Sequence, residues 1–253
     1  MCRIFLLFCF SSLSTSILAT TLIGIRVKDG FVIAADSKVT YKGVGAKGPT
    51  TACKIFRSGR FYFAIAGMAS DRNRDFFPEK IVAQSFTDSD SFESSIERME
   101  LAVSDSLKIE MKRLKIEDHE RFDGAQTDGG DVLTILAAAM VGDTPYMGGR
   151  GFSYLDGTIP TIEIRRVSCP GDCPGDEYVF FAGEQDAARK TINELFKNGV
   201  RMNVEFARKL VESEIQASPD DVGPPINILR VDKNGPATDP INSNCPILVG
   251  GAR

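Results

Sequence analysis

The chain has 253 residues, 43% of them hydrophobic and 25% charged, the composition of an ordinary globular protein. A formal net charge of −4 and the lack of any basic cluster argue against nucleic acid and anionic membrane surfaces as partners.

The first nineteen residues, "MCRIFLLFCFSSLSTSILA", read as a leader. They hold one basic residue, Arg3, a short apolar run from Ile4 to Phe10, a Ser/Thr-rich tract and a terminal Ala19. This is the layout of a secretory signal with a small residue before the cut. The run is too short to stand permanently in a bilayer. Ile17 occupies the position where a second small residue is wanted, so an ordinary propeptide or a misassigned start stays open. Residues 20–253 then suffice for one sizeable core and fit two domains only tightly.

After the leader, "TTLIGIRV" and "GFVIAADS" are β-branched runs joined through "KDG", a hairpin signal. "KIF" and "FYFAIAG" repeat the arrangement around a Ser-Gly turn. From about Phe76 to Arg121 the spacing becomes helical, with "EKIVAQSF" and "SSIERMELAVSDSLKIEMKRLKI" as two helices ended by the polar, Gly-rich loop "DGAQTDGG". Strands return as "DVLTILAAAMVG", "PYMGGRGFSYLD", "TIEIRRVS" and "EYVFFAG". Two more helices follow, "EQDAARKTINELFKNG", closed by Gly199, and "NVEFARKLVESEIQAS". A last strand, "PINILRVDKNG", precedes an irregular tail. This order, without repeat or linker, predicts one α+β domain in which two antiparallel sheets are flanked by helix pairs.

The available chemistry is narrow. The single histidine, His119, sits in the charged stretch "KIEDHERF" and reads as a solvated surface residue. No Gly-rich phosphate loop, HExxH or acidic metal cluster is present in the sequence, so neither cofactor nor metal is expected. What remains is a nucleophile activated without histidine. An N-terminal threonine is one: its hydroxyl attacks and its own α-amine, with an unperturbed pKa of about 7.7–8.0, is the base. A cut after Ala19 would give Thr20 that amine; uncut, its nitrogen is an amide with no basic lone pair. Outside the leader lie Cys53, Cys169, Cys173 and Cys245, an even number that an oxidising compartment would let pair. "CPGDCPGD" places Cys169 and Cys173 in a turn suited to a local disulfide, whereas zinc would need further ligands nearby.

"TTLIGIRVKDGFVIAADSKVT" resembles the mature start of proteasome β-type subunits and their bacterial relatives, the Ntn (N-terminal nucleophile) hydrolases. The matching features are Thr20, Gly30, "AADS" and Lys38, and "CKIF" and "AIAGMASD" resemble the next two landmarks. The specific match covers residues 20–71, and the remainder agrees in element order. The resemblance implies a four-layer αββα sandwich with two antiparallel sheets. It maps the nucleophile onto Thr20, the family's acid onto Asp36, its lysine onto Lys54 and an oxyanion-binding N–H onto Gly67. An ammonium beside the Thr20 hydroxyl would lower its pKa, and Asp36 would keep Lys54 charged and oriented. A backbone donor like Gly67 is worth roughly 2.7–4 kcal/mol in comparable acyl-transfer sites.

The family's first specificity pocket maps onto Val39, Ala52, Phe56, Ile65 and Ala69, none charged, which implies cleavage after apolar or aromatic residues. The same residues can equally be core. Two departures stand out. "AGEQDAA" puts Glu184 where the family has a Gly-Ser near the terminal amine, either as electrostatic support or as a helix cap. In "SPDDVGPPIN", Asp220 or Asp221 could supply an acid, while Val222 replaces the expected serine.

Three functions follow from the resemblance. The first is a threonine-type endopeptidase acting on peptide or unfolded protein within a homo-oligomeric ring. The second is an Ntn amidohydrolase of a small amide, and the third a silent ring or scaffold subunit, against which Thr20, Asp36, Lys54 and Gly67 together argue. The leader implies export, periplasmic or secreted, and hence an enzyme without an ATP-driven unfoldase; a cytoplasmic protein with a removed propeptide is the alternative. Glycine commonly precedes the family's nucleophile, so Ala19 points to signal peptidase as the cutting agent.

Overall fold

The computed structural model describes residues 20–39, 50–68, 76–126, 130–238 and 248–249, with residues 39, 50, 238, 248 and 249 as backbone alone. The leader, and with it the reading of residues 1–19, lies outside them. Two main sheets are formed. The first has the order β10-β1-β2-β11-β12, from β1 (Thr21–Val27), β2 (Gly30–Ala35), β10 (Tyr178–Gly183), β11 (Asn227–Asp232) and β12 (Gly235–Thr238). The second has the order β13-β5-β6-β7-β8-β9. Its strands are β5 (Ile55–Ser58), β6 (Phe61–Gly67), β7 (Leu133–Val141), β8 (Thr144–Leu155), β9 (Thr161–Cys169) and β13 (Leu248–Val249). A two-stranded ribbon pairs β3 (Lys38–Val39) with β4 (Thr50–Thr51).

Three separate cores define four layers. β1 and β2 are buried on both faces, which is why they read as near-continuous apolar runs. Leu22, Phe31, Ile33 and Ala35 meet Tyr62, Ala64, Ala66 and Leu136 of the second sheet. The alternate positions, Ile23, Ile25, Val32 and Ala34, pack on α4 (Asp186–Lys197) and α5 (Val204–Ala217) through Phe206, Leu210 and Val211. The outer face of the second sheet receives α1 (Pro78–Ser85), α2 (Phe92–Glu117) and α3 (His119–Gln126). On α2, Phe92, Ile96, Met99, Val103, Leu107, Met111 and Leu114 recur every three or four residues and form one buried stripe. Each such side chain contributes roughly 1.5–3 kcal/mol on burial. The architecture is therefore α+β, a helix–sheet–sheet–helix sandwich. Gly24 lets the sheets approach, because a Cβ there would come within 2.4 Å of Leu136.

Two helix starts are capped locally by the side chain of the N-cap residue. Ser91 accepts from the Ser94 N–H at 3.1 Å and Asn203 from the Phe206 N–H at 3.0 Å. The N-cap of α4, Gln185, makes no such bond. Instead the buried Glu214 of α5 accepts from the Ala188 N–H at 2.6 Å.

Two expectations need correction. The loop expected over "DGAQTDGG" begins later, since α3 runs through Gln126 and buries Phe122 and Ala125. Phe122 lies edge-on to Tyr154 with centroids 6.0 Å apart, and this packing outweighs the helix-weakening Gly124. The chain after β11 is also not irregular throughout: β12 pairs with β11 as an edge strand, where Pro236 is tolerated, and β13 joins β5 in parallel. Among the described residues no helix is long and apolar enough to cross a membrane.

Candidate active site

Thr20 immediately precedes β1 and is almost fully buried, 7% exposed. Its neighbour Thr21 stands opposite Gly183 at the end of β10. The Glu184 N–H donates to the Thr20 carbonyl at 2.9 Å, and the Thr21 hydroxyl donates to the Glu184 carbonyl at 3.1 Å. Gly183 has φ +71°, and a Cβ there would lie 1.7 Å from the Thr20 carbonyl oxygen. Only glycine lets the two chains pass this closely.

The β1–β2 hairpin brings Asp36 back to the same end of the sheet, because Leu22 pairs with Ala35. The Asp36 N–H donates to the Thr21 carbonyl at 3.2 Å, and the Thr21 N–H donates to Asp36 Oδ1 at 3.0 Å. Lys54 arrives from the second sheet, one residue before β5. Its ammonium donates to Asp36 Oδ1 at 2.8 Å and to Thr20 Oγ1 at 2.9 Å. Asp36 Oδ2 accepts from the N–H groups of Lys38 at 3.0 Å and Gly223 at 3.2 Å. Both carboxylate oxygens thus face two donors each, which fixes the orientation of the carboxyl group.

Burial holds the Lys54 ammonium below the ordinary lysine range, and the charge and hydrogen bond of Asp36 oppose that fall without cancelling it. The result is a cation whose proton is less tightly held than on a surface lysine, aimed at a hydroxyl. Among the described residues no group of three or more His, Cys, Asp or Glu side chains gathers as a metal site.

Lys54 therefore bridges Thr20 and Asp36. Gly67 closes β6 with φ +102°, where a Cβ would meet the Val132 carbonyl at 2.4 Å. The side chain of its neighbour Ala66 lies 3.7 Å from the Cβ position at Gly183, so this strand end stands beside the Thr20 segment. Glu184 grips Thr20 and Thr21 through its main chain, two residues ahead of α4. Asp220 is exposed and Asp221 half-buried in the loop after α5, while Val222 is fully buried. That loop reaches the site through the Gly223 N–H, and Lys38 ties it down by donating to the Pro219 carbonyl at 2.7 Å.

Phe56 and Ile65 are half-buried on the helix-facing side of the second sheet, with Phe56 stacked on Phe63 at 5.3 Å. Ala52 is exposed, and its N–H donates to the Ser37 carbonyl at 2.8 Å. Ala69 and the side chain of Val39 lie outside the described residues. His119 opens α3 and is exposed. Cys169 and Cys173 form a disulfide buried between the sheets.

Sequence reasoning missed Thr21, Lys38 and Gly223 as donors to Asp36. Lys38 stood within the quoted motif and Thr21 beside Thr20, but backbone donors leave no side-chain signature. Gly223 gave no signal at all, being 187 positions from its partner.

Comparison with known proteins places this geometry. Residues 18–77 match the model of the proteasome subunit family. No curated protein matches the sequence. In fold, the chain is similar to Anbu (Gly-1 mutant) from Hyphomicrobium sp. strain MC1, at 15% identity and a TM-score of 0.52, over 87% of this chain and 84% of that one. It is also similar to Anbu (ancestral β-subunit) from Yersinia bercovieri, at 13% identity and a TM-score of 0.52, over 86% of each chain.

Proposed function

We propose that this chain, a proteasome-type Ntn hydrolase by its fold and by the sequence of its first strands, is a threonine-type endopeptidase with the Thr20 hydroxyl as nucleophile. One observation carries the reading: the Lys54 ammonium is held between Asp36 and the Thr20 hydroxyl at 2.8 and 2.9 Å. A solvated lysine has no reason to be buried there, and a buried one needs a partner.

Cleavage before Thr20 converts its amide nitrogen into an α-amine. The amine takes the hydroxyl proton as Oγ1 attacks the scissile carbonyl, and the Lys54 ammonium offsets the developing alkoxide charge. The Gly67 N–H receives the oxyanion. The amine then passes its proton to the leaving nitrogen, leaving an ester on Thr20. Water, deprotonated by the same amine, hydrolyses that ester and restores the hydroxyl. The family resemblance, which maps the first pocket onto uncharged residues, supports a preference for apolar residues before the scissile bond. Assembly into a homo-oligomeric ring is supported by the family resemblance. Export is supported by the leader and by the Cys169–Cys173 disulfide, a bond that persists in oxidising compartments. Signal peptidase is then the cutting agent.

The test is intact-mass analysis of purified wild type and Thr20→Ala, with hydrolysis of an apolar fluorogenic peptide. Both proteins are expected to start at position 20. Thr20→Ala should lose activity on the order of 10⁶-fold, as when the nucleophile of a comparable hydrolase is removed. A wild-type chain starting elsewhere, or hydrolysis by Thr20→Ala at the wild-type rate, removes the mechanism. Turnover of small amides but not of peptides gives the amidohydrolase reading instead.

A further inference from the structure

The outward face of α2 is not the one a solvated helix presents. Its buried stripe, from Phe92 to Leu114, leaves the opposite side to water, where polar residues are the rule. Yet Leu101 is 70%, Ile109 60% and Ile116 80% exposed. They are three of the six large apolar side chains that stand exposed among the described residues. With 3.6 residues per turn, Leu101, Asp105, Lys108, Ile109, Lys112 and Ile116 share one face about 100° wide. Beside Ile116, Lys115 donates to Asp156 at 2.6 Å and draws in the end of β8 and the turn after it, which expose Leu155 and Ile159. Apolar surface gathered in this way marks a contact with another molecule.

The face has the same pattern from either end. Leu101 and Ile116 lie equally far from the midpoint between Lys108 and Ile109, and so do Asp105 and Lys112. Asp105 and Lys112 are exposed, and neither has an ion-pair partner in its own chain among the described residues. We infer that α2 docks antiparallel on α2 of a second copy of this chain, across a two-fold axis through that midpoint. Leu101 then meets Ile116 of the second copy, and Asp105 meets Lys112. Each Ile109 lies under the alkyl stem of the facing Lys108, whose ammonium reaches solvent. The axis makes every contact twice, as a self-complementary interface requires. A parallel arrangement would instead set Asp105 against Asp105 and Lys112 against Lys112. Charge therefore selects both the occupant and its direction. The pairing depends on this helix and does not require Thr20 to be a nucleophile. Where other faces close a ring, it joins such particles in pairs.

The experiment is analytical ultracentrifugation of the purified protein over a concentration series up to about 1 mM, the weak end of specific association. It compares wild type with Asp105→Lys, with Lys112→Asp, with the double swap and with Leu101→Ser. All four variants change exposed positions of the helix, where substitutions leave folding nearly untouched, and circular dichroism verifies that they do.

Each single swap opposes like charges at two places at once. The dissociation constant should rise on the order of a hundredfold, and the particle mass should fall to half or less. The double swap restores opposite charges across the axis and should restore the wild-type mass. Leu101→Ser should weaken association on the order of tenfold, through the apolar contact it removes twice. A wild-type mass unchanged by both single swaps gives the face to another occupant and overturns the pairing. So does a double swap that stays dissociated, since only the antiparallel register makes the two charges partners. A wild-type protein that stays a monomer throughout the series overturns it as well.

Discussion

Two buried ionic clusters involve the second sheet, and they are built differently. In one, Glu100 of α2 accepts from Arg150 of β8 and, at 2.8 Å, from Arg166 of β9. Arg150 spends its other donors on the carbonyls of Gly149 and Val167 and on the Ser168 hydroxyl, at 2.8–2.9 Å. A guanidinium keeps its protons at any working pH, and its fork fixes geometry, so this cluster clamps a helix to a sheet. In the other, the cation is a lysine whose hold on its proton is weakened by burial, and one of its acceptors is the hydroxyl of Thr20. Buried charge alone does not separate architecture from chemistry. The kind of cation and the reactivity of its acceptor do.

Removing each cation should split the two roles. Lys54→Ala should lower kcat/KM by about 10²–10⁴-fold, the range typical of a positioned proton-transfer group, while the mature chain still begins at Thr20. Lys54→Arg should remain impaired although it keeps the charge, since a fork cannot replace a point donor between Asp36 and Thr20. Wild-type activity in either variant, read by peptide hydrolysis, would break the comparison. Arg150→Met should do the reverse. Stripping one partner from a buried pair costs about 3–5 kcal/mol, visible as a lower urea midpoint, with kcat per folded molecule unchanged.

Gly183→Ala tests backbone proximity at the candidate active site. The new Cβ must displace the Thr20 carbonyl and also sit at φ +71°, so about 1–3 kcal/mol of stability should go, together with activity. Retained activity at reduced stability would mean that Thr20 tolerates the shift.

The smallest effect is the pH profile. The rate should climb as the Thr20 amine, whose ordinary value is about 7.7–8.0, loses its proton. It should fall again as Lys54 deprotonates, below the ordinary lysine value of about 10.4. The stability sign follows from the same depression. Between the lowered folded value and about 10.4 the unfolded chain binds the extra proton, so this group's contribution becomes more favourable as pH rises through that window. A descending limb unmoved in Lys54→Arg, measured by initial rates, would assign it to another group.

Much of the fold was legible because burial writes periodicity into the chain. The near-continuous apolar run in "TTLIGIRV" marks a strand covered on both faces, and the three-to-four spacing of α2 marks the face that packs. α3 escaped because Gly124 and the polar residues around it mask a helix held by two buried side chains, Phe122 and Ala125. β12 and β13 escaped because short edge strands take their identity from the neighbour they pair with. Thr20, Asp36 and Lys54 could be singled out from a motif within 34 positions. The remaining donors to Asp36 could not, because they are backbone groups.

The sequence by itself determined the order of elements, the apolar faces and the identity of the three side chains that meet at Thr20. These are local properties of composition and spacing. Only the tertiary structure decided that Asp36 receives four donors, that Gly183 must lack a side chain, and that β13 lies in register with β5. Those facts join residues far apart in the chain through main-chain atoms, which every residue type presents alike, so no pattern of side chains could announce them.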